Sequence, residues 1–163
     1  MPLEIERKFL IKMPDLKWIE KNTECEIIPM VQTYLGKNSE GFGNRVREIK
    51  INGIKKYLLT AKKSLSGITR IEYEKEISKK EYDKFLENKK NKISLKKTRY
   101  IMKVNGFKFE IDVYPFWKET AIMEIELKNE KQKFKIPDFI TVIGEVTNNL
   151  DYSNHSLAKK YMQ

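Results

Sequence analysis

Glu4-Ile5-Glu6-Arg7-Lys8, set between Leu3 and Phe9-Leu10-Ile11, places two carboxylates and an amine at every second position; Glu124-Ile125-Glu126 repeats the acidic pair far along the chain. On a β-strand successive side chains point to opposite faces, so Glu4, Glu6 and Lys8 share one face while Leu3, Ile5 and Phe9 share the other. Residues two apart lie about 6.6 Å from each other at Cα, close enough for two carboxylates to converge on one hard cation. Mg2+ and Mn2+ suit such oxygen donors and complete their shells with water and substrate phosphates. Arginine and lysine suit the phosphate oxygens themselves, arginine as a two-pronged fork. A surface that carries both sets binds a polyanion together with its cation.

Further charges fall on the same alternation, away from the apolar side chains: Arg45 and Arg47; Lys62; Glu72, Glu74 and Glu76; Arg99; Glu110 and Asp112. Spread over at least eight mostly antiparallel strands, this pattern describes a closed barrel with a charged lumen and an apolar outside on which helices pack. A charged sheet face turned to solvent gives the same sequence, and periodicity weighs the two evenly.

Local signals define the elements that must position these residues. Pro14-Asp15 opens a short helical stretch through Trp18 and Ile19, expected to cover one end of the sheet. Strands are then expected from Ile27 to Leu35, Asn44 to Ile51, Lys56 to Lys63, Arg70 to Ile77, Thr98 to Val104, Phe107 to Tyr114 and Ile122 to Leu127. Asn52-Gly53 and Asn105-Gly106 are strong hairpin signals, each joining an antiparallel pair. Ser78-Lys79-Lys80-Glu81 is a capping box ahead of an apolar stripe of Tyr82, Phe85 and Leu86, so a helix is expected to about Asn88. A shorter helix is expected over Glu130 to Phe134 and an amphipathic closing helix over Ser156 to Met162. The class is therefore α+β, mainly antiparallel β.

Composition narrows the partners. A chain of 163 residues is expected to form one domain, 1–163, with its own core. Its 33 basic and 23 acidic residues leave a net charge of +10, which favours anionic partners. Nucleic acid is not expected among them, because the acidic pairs would repel its backbone. The single cysteine, Cys25, forms no internal disulfide and no Cys/His cluster is present to hold zinc, which fits a reducing cytoplasm. No signal peptide and no apolar run of about 20 residues is seen, so no membrane partner is expected. His155, the only histidine, lies at the turn into the closing helix and reads as a surface or capping residue rather than a base.

Taken in order, these residues resemble the CYTH superfamily, the triphosphate tunnel metalloenzymes. Glu4-Ile5-Glu6-Arg7-Lys8 matches its ExExK signature, and the likeness continues over nearly the whole chain. It runs through Gln32-Thr33-Tyr34-Leu35, Arg45-Val46-Arg47, Thr60-Ala61-Lys62, Arg70-Ile71-Glu72-Tyr73-Glu74, Lys97-Thr98-Arg99-Tyr100, Glu110-Ile111-Asp112-Val113, Glu124-Ile125-Glu126 and Gly144-Glu145-Val146-Thr147. The resemblance implies a closed eight-stranded antiparallel tunnel that binds a triphosphate with Mg2+ or Mn2+. It implies Glu4, Glu6, Asp112, Glu124 and Glu126 as metal ligands and Lys8, Arg45, Arg47, Lys62, Arg70 and Arg99 as the phosphate clamp. Glu4, Glu6 and Lys8 are then the catalytic group.

Two departures from the family pattern bear on specificity. Asp151 precedes Tyr152 where many bacterial relatives carry a basic residue, which leaves Lys159 or Lys160 to replace the missing cation. Gln32-Thr33-Tyr34-Leu35 lacks the Asp-x-Tyr-Phe-Asp type motif of class IV adenylate cyclases. The small bacterial inorganic tripolyphosphatase-like branch fits best, with metal-dependent hydrolysis of a phosphoanhydride bond in a monomer or homodimer as the expected activity. The alternatives are an enzyme for an organic triphosphate, thiamine triphosphatase-like or cyclase-like, and a non-catalytic polyphosphate- or nucleotide-binding module. An organic substrate requires an apolar slot, for which Trp18, Phe42, Phe116 and Trp117 are the candidates.

Overall fold

The computed structural model describes residues 2–87 and 92–162. The chain runs through β1 (Leu3–Lys12), α1 (Leu16–Asn22), β2 (Glu24–Lys37), β3 (Gly43–Ile51), β4 (Ile54–Ser66), β5 (Thr69–Ile77), α2 (Lys79–Glu87), β6 (Ile93–Val104), β7 (Phe107–Val113), β8 (Thr120–Glu126), β9 (Val142–Glu145) and α3 (Asn154–Tyr161). The strands form one antiparallel sheet in the order β5-β4-β3-β2-β6-β7-β8-β1. Pairing of β1 with β5, Glu4 opposite Arg70, closes it into the expected eight-stranded barrel. The remaining strand, β9, adds to β1 with Phe9 opposite Glu145.

Both Asn-Gly signals form tight turns. Asn52 and Gly53 have φ of 51° and 79°, and Asn105 and Gly106 have 51° and 80°. Asparagine and glycine tolerate this left-handed region, and two such residues in succession match the twist of the strands they join.

The outer face of the barrel is apolar, as alternation requires. Phe9, Ile11, Met102, Phe109, Ile111, Met123 and Ile125 form the main core there, covered by Ile19 of α1 and by Ile140. Burying a side chain such as Ile19 contributes about 1.5–3 kcal/mol. Because Ile19 docks on this outer wall, α1 does not cover an end of the sheet as expected. Its start is fixed by Asp15, which accepts a hydrogen bond from the Trp18 backbone at 3.1 Å. On another part of the wall, Tyr82 of α2 packs with Val46, Tyr57 and Ile77. The capping box forms, with reciprocal 3.1 Å bonds between Ser78 and Glu81. The expected end of α2, Asn88, lies outside the described residues.

No helix forms over Glu130 to Phe134. Asn129 instead organises a turn, its side chain accepting from the Lys131 amide at 3.0 Å and its carbonyl from the Gln132 amide at 3.2 Å. Glu130 is drawn away to Thr69, whose hydroxyl donates to its carboxylate at 2.7 Å. The closing helix α3 begins two residues earlier than expected, capped by Ser153. Leu157 and Ala158 pack on Leu95, Tyr114 and Ile122 with Leu10 alongside, all inward-facing barrel residues. Helix α3 thus lies across one end of the barrel. Among the described residues, no helix is long and apolar enough to cross a membrane.

Candidate active site

A cavity of about 870 Å³ lies inside the barrel. Its walls carry Glu4, Glu6 and Lys8 of β1, Arg45 and Arg47 of β3, Lys62 of β4, Arg70 of β5, Arg99 of β6, and Glu124 and Glu126 of β8. Register explains the convergence of the two acidic pairs, since Glu6 is opposite Glu126 and Lys8 opposite Glu124 on neighbouring strands. Charges that share strand alternation in sequence therefore share one interior in space, and an outward-facing charged sheet is excluded.

Most of the cations are already held by carboxylates. Lys62 Nζ lies 2.7 Å from Glu4 and 3.1 Å from Glu72, and Lys8 Nζ lies 3.5 Å from Glu124. Arg47 donates to Glu74 at 2.6 Å, and the Thr60 hydroxyl donates to the same oxygen at 3.0 Å. Arg45 takes no part in any ion pair among the described residues. The Nε atoms of Arg45 and Arg47 are both buried without a hydrogen-bond partner. Burial and the neighbouring Arg45 lower the Arg47 guanidinium to about 10. Two adjacent cations with unmet donors form a site for an anion.

The acidic wall is strained in the complementary sense. Burial pushes the Glu6 carboxyl well above its usual range, and the nearby Glu124 and Glu4 carboxylates push it further. Burial also raises Glu4, with Lys62 opposing. Burial works upward on Glu124 too, but Lys8 and Arg99 outweigh it and hold that carboxyl at about 2. Carboxylates crowded in this way suit a divalent cation. Among the described residues no three acidic, thiol or imidazole groups converge on a ready-made metal centre. The donors meet in pairs, Glu6 with Glu124 and Glu4 with Glu72. Pairs fit a hard cation that takes the rest of its shell from water and phosphate oxygens.

A family model described as CYTH domain matches residues 2–162. The chain belongs to the CYTH domain family. It is 33% identical over 161 residues to an inorganic triphosphatase of Acetivibrio thermocellus, covering 98% of this chain and 95% of that protein. The crystal structure of the inorganic triphosphatase NE1496 superposes with a TM-score of 0.57 at 28% identity, covering 97% of this chain and 95% of that one. The PH1819 protein from Pyrococcus horikoshii OT3 shares the fold, with a TM-score of 0.58 at 20% identity over 78% of this chain and 80% of that one.

Within this CYTH barrel one expected metal ligand stands apart from the others. Asp112 is 1% exposed and does not reach the cavity wall. Its oxygens accept from Lys97 Nζ at 2.7 Å, Arg99 Nε at 2.8 Å and Arg99 Nη2 at 3.0 Å. Burial opposes ionisation of Asp112, but Arg99 and Lys97 bring its pKa far below the usual carboxylate range. Lys97 is fully buried, and burial together with Arg99 lowers it to about 7. With both oxygens committed, Asp112 anchors Arg99, whose other edge reaches Glu110 at 2.5 Å.

The interior is also less uniformly charged than expected. Ile28, Met30 and Ile49 form a buried apolar cluster with Ile51, Leu58 and Ile101, all on inward-facing positions. Along β2 the inward residues run Ile28, Met30, Gln32, Tyr34; along β3 they run Arg45, Arg47, Ile49, Ile51. Strands β4 and β6 alternate the order again, Leu58 before Thr60 and Lys62, Lys97 and Arg99 before Ile101. Because neighbouring strands are antiparallel, this reversal gathers the apolar residues at one end and the polar ones at the other. That reversing order was the available signal for the apolar wall.

The four aromatic candidates for an organic slot lie elsewhere. Trp18 packs on Phe139, Phe42 packs on Tyr73, and Phe116 and Trp117 pack with Tyr161 of α3. None of the four lines the cavity. Lys159 and Lys160 are exposed and also do not reach it, so neither replaces the missing cation beside Tyr152. His155 does reach it. It sits exposed in the first turn of α3, as expected of a surface residue there, with its ring edge-on to Tyr34 at 5.1 Å beside the cavity.

Proposed function

We propose that the chain hydrolyses inorganic triphosphate inside the barrel, with a divalent cation. The observation that supports this most is the pairing, in one cavity, of the unmet donors of Arg45 and Arg47 with the crowded carboxylates Glu4, Glu6 and Glu124. The likeness to two proteins named as inorganic triphosphatases points the same way.

In this reading Arg45, Arg47, Lys8, Lys62 and Arg99 hold the phosphate chain, with Arg70 at the rim of the clamp. Phosphoryl transfer passes through a loose transition state with charge spread over the equatorial oxygens, so fixed cations are the main catalytic resource. Glu4 or Glu6 orients the attacking water, and burial together with the neighbouring carboxylates raises the proton affinity of Glu6. Mg2+ or Mn2+ held by Glu4, Glu6, Glu124 and Glu126 would neutralise phosphate charge and acidify bound water. Asp112 and Lys97 keep Arg99 aimed at the substrate and do not touch the ion. Phosphate release from inorganic triphosphate, dependent on Mg2+ or Mn2+ and abolished by chelation, is the expected result; cation-independent release or none contradicts it.

The apolar wall of Ile28, Met30, Ile49, Leu58 and Ile101 favours a second reading, an organic triphosphate whose non-phosphate part rests there.

A further inference from the structure

Apolar side chains begin directly beside the phosphate clamp. Across the β3–β4 ladder Arg47 is opposite Leu58, and across the β2–β6 ladder Arg99 is opposite Ile28. Along β3 and β6, Ile49 and Ile101 are the next residues on the clamp's own face, about 6.6 Å beyond Arg47 and Arg99. Met30 is opposite Ile49 and completes the patch. These five side chains pack at their sides and also line the cavity that holds the clamp. The aromatic residues among the cavity's described lining, Tyr34 and His155, lie toward α3 instead. The five aliphatic and thioether side chains offer a heteroaromatic ring neither a stacking face nor a hydrogen bond for its edge, and suit a saturated chain.

We propose that the cavity takes an alkyl diphosphate, with its phosphates on Arg45, Arg47 and Arg99 and its saturated chain laid along Ile28, Met30, Ile49, Leu58 and Ile101. Because Leu58 and Ile28 are the direct cross-strand neighbours of Arg47 and Arg99, the chain meets apolar surface from its first carbons. An inorganic phosphate chain leaves this wall against water, whereas an alkyl chain covers it. Each methylene that is fully buried strengthens binding about fourfold. The inference rests on the phosphate clamp assigned to the same cavity in the triphosphate reading, and it supplies the chemistry of the ligand's other half.

Titration calorimetry of the full chain with methyl diphosphate and butyl diphosphate in saturating Mg2+ tests it, alongside their inhibition of inorganic triphosphate hydrolysis. The three added methylenes should tighten Kd at least about tenfold, and the inhibition should be competitive. Leu58→Ala and Ile101→Ala should each shrink the butyl-to-methyl ratio about threefold, with methyl diphosphate binding by the same preparation showing that the variant is folded. Equal Kd values for the two ligands on the wild-type chain overturn the proposal whether or not the variants fold. So does an unchanged ratio in both folded variants, or butyl diphosphate binding that inorganic triphosphate does not displace. If inorganic triphosphate is hydrolysed and the longer chain adds no affinity, the alkyl assignment alone has failed; if neither inorganic triphosphate nor methyl diphosphate binds, the clamp reading has failed with it.

Discussion

The two ends of the barrel interior are made from the same four strands and are chemically opposite. Toward α3, β2, β3, β4 and β6 present Tyr34, Arg45, Arg47, Lys62 and Arg99; away from it they present Ile28, Met30, Ile49, Leu58 and Ile101. The polar end contains donors without partners, whereas the apolar end is satisfied by its own packing. An interior that is half finished and half complete locates ligand binding, because unmet buried donors cost free energy until something accepts from them. The acidic wall of β1 and β8 adds the cation-binding half of the same site.

Substitutions at the two ends should separate sharply. The largest loss is expected from Glu6→Gln or Glu4→Gln, which should lower kcat for inorganic triphosphate by at least about 100-fold while phosphate-chain binding, read by calorimetry, is partly retained. Wild-type turnover in both variants would remove the acidic wall from the chemistry. Asp112→Asn comes next. It leaves Lys97 and Arg99 short of a buried counter-charge and should destabilise the fold by about 3–5 kcal/mol in denaturant unfolding, with KM raised through a misaimed Arg99. If Asp112 were instead a metal ligand, the variant would shift the cation dependence of the rate rather than stability.

Protons should affect the two carboxylate environments with opposite sign. Glu124 is held at about 2, below the ordinary 4.5, so its stabilising contribution is present above pH 4.5 and disappears as pH falls from there toward 2. Glu6 is raised, so its ionisation in the folded state opposes folding as pH climbs through its elevated pKa. Glu6→Gln should therefore stabilise the cation-free protein near neutral pH, by thermal unfolding, while abolishing turnover; destabilisation there would contradict the crowding of Glu6 against Glu124. The smallest effect on inorganic triphosphate is expected from the apolar end. Leu58→Ala or Ile101→Ala should change its KM by less than about twofold, since neither side chain offers a group that a phosphate oxygen could use.

Much of this was legible in the sequence, for identifiable reasons. The Asn-Gly turns define local pairs, and period-two alternation assigns Glu4, Arg45, Lys62 and Glu124 to one face without knowledge of the partners. Closure of that face into a lumen came from the likeness to a family, because alternation cannot distinguish inside from outside. What local pattern could not show depends on register between distant strands. Lys97 entered only as the first residue of the motif Lys97-Thr98-Arg99-Tyr100, with no partner in view until β6 pairs with β7 and sets it against Asp112. Asp112 looked like one more acid in a series of lumen acids, and only its contacts to Lys97 and Arg99 set it apart. The Glu130 helix was overruled by the distant Thr69, which engages the Glu130 carboxylate. His155 was read as a surface or capping residue and is exposed in the first turn of α3, but its contact with Tyr34 of β2 depends on where the helix docks and had no local signal.

The most direct measurement of the central claim is the kcat/KM for inorganic triphosphate compared with those for ATP and thiamine triphosphate, each with and without Mg2+ or Mn2+. A clear preference for inorganic triphosphate, seen only with the divalent cation, is predicted. A higher value for either organic triphosphate would contradict the inorganic substrate and assign the wall of Ile28, Met30, Ile49, Leu58 and Ile101 to its recognition.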